Sequence, residues 1–169
     1  MSAKSFAVRI FLQDGSADGV KIIAKSKWSG RGMVIPRSSL PAEQEREELA
    51  APGVYLLVGP AAAGEPPTLL IGTADPVGKQ LVREAAQQEF WSAAIIFTSK
   101  QDQLSHPQIH YIAARLLQLA EQAGRARLAN PDLTPLPSLT TAERADAEAF
   151  LAHLLSLCPL LGLRAFAAR

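Results

Sequence analysis

The sequence predicts an α+β domain, and three observations carry that prediction. The first forty residues read as short strands separated by turn clusters. Beyond Gly53 the pattern runs strand, strand, helix, strand, helix, helix. Hydrophobic residues make up 48% and charged residues 20%, enough to fill a core and too apolar for a disordered chain. The 169 residues suit one domain better than two. Within it we expect a β-hairpin extension (1–40), a core (53–124), and a C-terminal helix and tail (140–169).

The opening strand runs from Phe6 to Gln13, with Val8, Ile10 and Leu12 on one face at a period of two. Asp14 to Gly19 is a turn cluster, and Val20 to Ala24 returns as a second strand. Trp28 to Gly32 breaks the chain again before Met33-Val34-Ile35. Pro36 cannot donate to a ladder, so that third segment is expected at an edge or as a terminal strand. Ser39, Pro41 and the following glutamates signal a short helix that ends before Pro52.

Gly53 to Gly59 is an apolar run of β formers, Ala61 to Pro67 a loop, and Thr68 to Gly72 a second strand. Asp75-Pro76 opens a helix through Lys79, Leu81, Val82 and Ala85. Trp91 to Thr98 reads as a buried strand. Pro107 then starts a longer helix, with Ile109, Ile112, Leu116, Leu119 and Ala123 on one stripe, ending near Gly124. His106 is expected just outside it. Residues 126–139 hold three prolines and read as loop, and Thr140 with Glu143 forms a capping box for a last helix to about Leu157.

Composition narrows the function classes. The longest apolar runs, such as Leu154 to Leu163, fall short of a membrane span, so no membrane partner is expected. Lys4 is not followed by the apolar stretch of a secretory signal, and cytoplasmic residence is the expectation. The single cysteine, Cys158, gives no disulfide framework and no multi-cysteine zinc site, and its apolar setting suits an inert thiol. Net charge is only +1, yet up to Leu40 seven basic residues (Lys4, Arg9, Lys21, Lys25, Lys27, Arg31, Arg37) face only Asp14 and Asp18. Such a surface can attract phosphates. Lysines on exposed strands also serve simply to block edge pairing.

Gly53-Val54-Tyr55 and Leu70-Ile71-Gly72 lie on consecutive strands ahead of a helix. Flanking them are Ile35-Pro36-Arg37-Ser38, Glu89-Phe90-Trp91 and Thr98-Ser99-Lys100. Together these resemble the GIY-YIG nuclease family, in its bacterial subgroup with an N-terminal β-hairpin extension. The resemblance covers about Gly53 to Gly124. It implies a three-stranded antiparallel sheet flanked by helices, and a site of two strand tyrosines, a helix arginine, a nearby histidine or tyrosine, and a glutamate holding one divalent metal.

Several positions depart from that pattern. Tyr55 matches the first tyrosine and is the relic of the catalytic set. The second tyrosine is Leu70, which has no proton to move. The arginine position is Gln80, which lacks the cationic fork that grips a phosphate. Lys79 and Arg83 flank it. Glu84 stands where the histidine is expected and would repel a phosphate. The metal-binding glutamate position is Ala113, and the next carboxylate on that helix, Glu121, lies about 12 Å along the axis.

The expectation is therefore a nuclease-like domain that has lost cleavage and serves as a nucleic-acid-binding or regulatory module. Lys79, Arg83 and Lys100 are the expected contacts to DNA or RNA, without sequence preference, and no metal or other cofactor is expected. One alternative is an active magnesium-dependent endonuclease with its metal ligand relocated to Glu84 or Asp75. Another is a protein-interaction domain or homodimer without nucleic acid. At 6% aromatic residues, nothing in the sequence marks an aromatic stacking platform.

Overall fold

The computed structural model describes residues 4–100, 103–130 and 135–167. The α+β class is borne out, as one seven-stranded sheet with helices on both faces. The strands are β1 (Val8–Leu12), β2 (Lys21–Lys25), β3 (Gly30–Pro36), β4 (Gly53–Gly59), β5 (Thr68–Ala74), β6 (Ala93–Ser99) and β7 (Arg127–Leu128). The helices are α1 (Leu40–Glu43), α2 (Val77–Gln87), α3 (His106–Ala123) and α4 (Thr141–Leu157).

Strand order is β1-β2-β3-β6-β4-β5-β7. The resemblance implies three strands, whereas the sheet has seven; antiparallel β6, β4 and β5 lie within it, with β4 between the other two. The N-terminal unit is a three-stranded meander joined edge to edge onto β6, with Ile35 opposite Ala94 and Gly32 opposite Phe97. That corrects the expectation for β3. It is an interior strand, paired with β2 and β6, and it tolerates Pro36 because the proline is its last residue.

Alternation along each strand divides the core in two. Val54, Leu56, Leu69, Ile71, Ile95 and Phe97 face α3 and α4. Tyr55, Leu57, Leu70, Ala94 and Ile96 face the other way, onto Leu40, Leu49, Val77, Leu81 and Trp91. The apolar face expected on β1 is only partly covered. Val8 packs on the core, but Ile10 and Leu12 are exposed at 41% and 38%, because no helix extends over the outer edge of the sheet.

Both long C-terminal helices start as their sequences dictate. Ser105 and Gln108 form a reciprocal capping box at α3, as Thr140 and Glu143 do at α4. Gly124 ends α3 in the left-handed conformation, φ 63°. His106 is the first residue of α3 and not outside it, since Ser105 supplies the cap. The loop expected over 126–139 contains β7, parallel to β5, with residues 131–134 lying outside the described residues. Asn130 then closes the β5 edge, donating to the Ile71 carbonyl (2.7 Å) and accepting from its N–H (3.3 Å). No helix among the described residues is long and apolar enough to cross a membrane.

Candidate functional site

Tyr55 sits mid-sheet on β4 directly opposite Gly72 of β5. Its ring lies across the neighbouring strand, and a Cβ at position 72 would collide with the phenol oxygen. Glycine at the end of the second tripeptide is therefore a packing requirement of the tyrosine. On the same face Leu70 and Leu57 make an apolar floor onto which Val77 and Leu81 pack.

Helix α2 lies over this floor and is pinned at its C-terminal end. Arg37 donates to the carbonyls of Ala85 and Trp91 and stacks over the Trp91 ring at 4.8 Å, while Trp91 Nε1 donates to the Glu84 carbonyl. The register so fixed turns Gln80 and Glu84 toward Tyr55. Gln80 Nε2 donates to Glu84 Oε1 at 2.9 Å. Glu84 is only 7% exposed, and its Oε2 has no hydrogen-bond partner among the described residues. Burial, with the nearby Glu84 carboxylate, pushes the Tyr55 phenol up to about 12, and hydrogen bonding with Gln80 pulls weakly the other way. The three side chains form a closed polar cluster on an apolar floor.

The structure brings together four of the five positions at which the resemblance places a site: Tyr55, Leu70, Gln80 and Glu84. Ala113 is not among them. It is buried on α3 with Ile112 and Leu116, in the core cluster on the opposite face of the sheet. Asp75 and Glu84, the two candidates for a relocated metal ligand, are likewise apart. Asp75 Oδ2 is at the surface, 2.9 Å from His106 Nε2, whereas Glu84 is enclosed beside Tyr55. His106 and His110 do not share a ligand position either, for His110 Nδ1 pairs with Thr73 Oγ1 at 3.2 Å. Among the described residues no three His, Cys, Asp or Glu side chains are grouped to hold a metal.

No protein-family model, no curated protein and no solved structure matches the chain. The likeness to GIY-YIG domains rests on the two tripeptides, their flanks, and the order of the elements that carry them.

The cations sort by their surroundings. Lys79 and Arg83 are exposed one turn apart on the outer side of α2, and neither is ion-paired among the described residues. Lys100 is exposed at the exit of β6, where its main-chain N–H donates to the Ser29 carbonyl at 2.8 Å. Antiparallel pairing brings the end of β5, and with it the start of α2, to the same end of the sheet as Lys100. Much of the basic N-terminal surface is otherwise engaged. Lys25 donates to Ser156 Oγ and lies under Phe6, Arg37 holds α2, and Arg31 is half-buried. Near the start of α2, Arg46 is neutralised by Glu43 and Glu48, which leaves Lys79 the unpaired cation beside it.

Cys158 is buried, its thiol pushed up to about 12 by burial, and it is chemically quiet there. One arrangement was not legible in the sequence. Trp28, Phe150 and His153 converge on a pocket of 260 Å³ between the β2–β3 turn, the segment before α3, and α4. No local sequence signal marks it; Gly30 makes room for it, since a Cβ there would collide with both Trp28 and Phe150.

Proposed function

We propose that this chain is a non-cleaving nucleic-acid-binding domain, a binding or regulatory module on a GIY-YIG-like nuclease scaffold. The observation that carries the reading is the closed Tyr55–Gln80–Glu84 cluster beside the unpaired Lys79 and Arg83. Metal-assisted hydrolysis of a phosphodiester needs an activated water, neutralisation of charge building on the phosphate, and support for the leaving oxygen. At the positions the resemblance assigns to this work stand an apolar Leu70, a neutral Gln80 spent on its own helix, a carboxylate at Glu84 and a buried Ala113. A phenol held up at about 12 takes no proton near neutrality.

Lys79, Arg83 and Lys100 keep their charge at the surface and suit contacts to the phosphate backbone, which position a nucleic acid without reading its sequence. The test is incubation of labelled single- and double-stranded DNA and RNA with the protein in magnesium or manganese. The strands are expected to be bound and recovered intact. A product that accumulates with time, stops with a chelator and is lost in Tyr55→Phe would establish instead the endonuclease with a relocated ligand.

One observation favours a second reading, a homodimer or protein-interaction domain. Ile10, Phe11 and Leu12 are exposed along β1, with Phe6 exposed just before it, and β1 is an edge strand of the sheet. A molecular mass that rises with protein concentration, and falls back in Phe11→Lys, would support it.

A further inference from the structure

We infer that the pocket between the β2–β3 turn and α4 takes a single unpaired nucleobase. The inference rests on the nucleic-acid reading above and names the part of the ligand this pocket holds. Its floor is aromatic: the Trp28 and Phe150 rings lie 5.1 Å apart between centroids at 52°, and the His153 ring lies 6.2 Å from Trp28 at 31°. Its rim is polar, made by Lys27, Ser29, Gln103 and Asp146. Lys27 holds the left-handed conformation, φ 60°, at the turn that delivers Trp28 to the floor.

Two ring nitrogens of the floor, Trp28 Nε1 and His153 Nδ1, are buried without a hydrogen-bond partner among the described residues. Trp28 is itself only 6% exposed. Buried polar groups are nearly always paired, so two orphans just behind one pocket wall, on residues that line it, point to an absent partner. An indole N–H only donates. A neutral imidazole nitrogen donates or accepts according to tautomer, and burial together with Lys25 lowers the His153 pKa and keeps the ring neutral. The partner must therefore offer an acceptor beside a second polar group. The edge of a nucleobase has that pattern on a planar ring.

Rim charge narrows the class further. Lys27 and Lys25 disfavour an ammonium group, and Asp146 disfavours a carboxylate or phosphate within the pocket. A neutral polar ring fits between them, and Asp146 can accept from an exocyclic amine. The sugar-phosphate on either side of the base would meet Lys27 and Lys100, whose strand end is tied to the pocket wall through Ser29. Both orphan nitrogens are shielded from solvent here, so a base reaches them only with a shift of the side chains around them, the half-buried His153 ring among them.

Uncharged nucleosides test the pocket apart from any phosphate contact. The full chain, labelled with nitrogen-15, is titrated with adenosine, cytidine and uridine while the two indole N–H signals are followed. Trp91, bonded to the Glu84 carbonyl on the other face, is the internal control. The expected result is a saturable shift of the Trp28 indole signal with Trp91 still. Ala149→Phe, an exposed α4 position at the pocket mouth, should weaken that response at least tenfold and leave Trp91 unmoved. No shift at Trp28 with any nucleoside, or an equal shift in Ala149→Phe, overturns the pocket. Salt-dependent oligonucleotide binding with no nucleoside response overturns the pocket alone. A nucleoside response without oligonucleotide binding supports the pocket and overturns the phosphate reading.

Discussion

Gln80 Nε2 donates to Glu84 Oε1 across one turn of α2, at 2.9 Å, and leaves Glu84 Oε2 buried without a partner among the described residues. The pair explains why this face has cations at its margin and none at its centre. A cation at position 80 would meet the carboxylate four residues on before it met any phosphate. Gln80 instead spends its donor on Glu84, and burial, with the enclosed Glu84 beside it, raises the ionisation of the neighbouring Tyr55 phenol.

Glu84→Met should stabilise the protein. The substitution removes a buried oxygen that lacks a hydrogen bond, a deficit of about 1 kcal/mol or more, and keeps the side-chain volume. For a domain of this size that is a rise in melting temperature of about 2–4 °C. The same variant should bring the Tyr55 ionisation back toward 10, since Glu84 is one of the two causes that raise it. Calorimetry and phenolate absorbance check both. A lower melting temperature would contradict the account.

Stability should fall in alkali. Burial is the first cause of the raised Tyr55 and Tyr111 ionisations, Tyr55 reaching about 12 against 10.0 in an unfolded chain. The Tyr55 contribution is complete below about pH 10 and is lost as pH rises toward 12, because the unfolded chain then releases protons the folded one retains, and Tyr111 acts in the same direction. The denaturant midpoint should drop through that window, and less steeply in Tyr55→Phe. An unchanged midpoint would count against the burial of the phenol.

The N-terminal meander should be inseparable from the rest. Ile23, Trp28, Met33 and Ile35 are all buried, and β3 covers the edge of β6. At about 1.5–3 kcal/mol per buried side chain, their loss is comparable with the whole stability of a typical domain. Deleting residues 1–37 should abolish cooperative unfolding or solubility. A truncated chain that melts at the native temperature would show an independent appendage.

How much was legible follows from what is local. The strands β4, β5 and β6 announce themselves by apolar runs, and α3 and α4 by caps and stripes, all set by neighbours in sequence. The interior place of β3 is not legible locally, because its partner β6 lies far along the chain and Pro36 points to an edge unless it is the last residue of the strand. The resemblance puts Ala113 in one site with Tyr55, whereas the side of the sheet that α3 packs on is a tertiary fact. The Trp28–Phe150 contact joins residues from opposite ends of the chain, and the room that Gly30 leaves for it is itself a tertiary fact.

The most direct test of nucleic-acid binding is the salt dependence of affinity for a fluorescent single-stranded oligonucleotide, measured by anisotropy for the native chain and for Lys79→Gln/Arg83→Gln. With Lys79, Arg83 and Lys100 each displacing a counterion, the logarithm of affinity should fall against the logarithm of salt with a slope of about −2. The double variant should weaken binding to every sequence alike and flatten that slope by about 1.5. Binding that is undetectable at low salt, or that is unchanged in slope and strength by the double variant, would contradict the account.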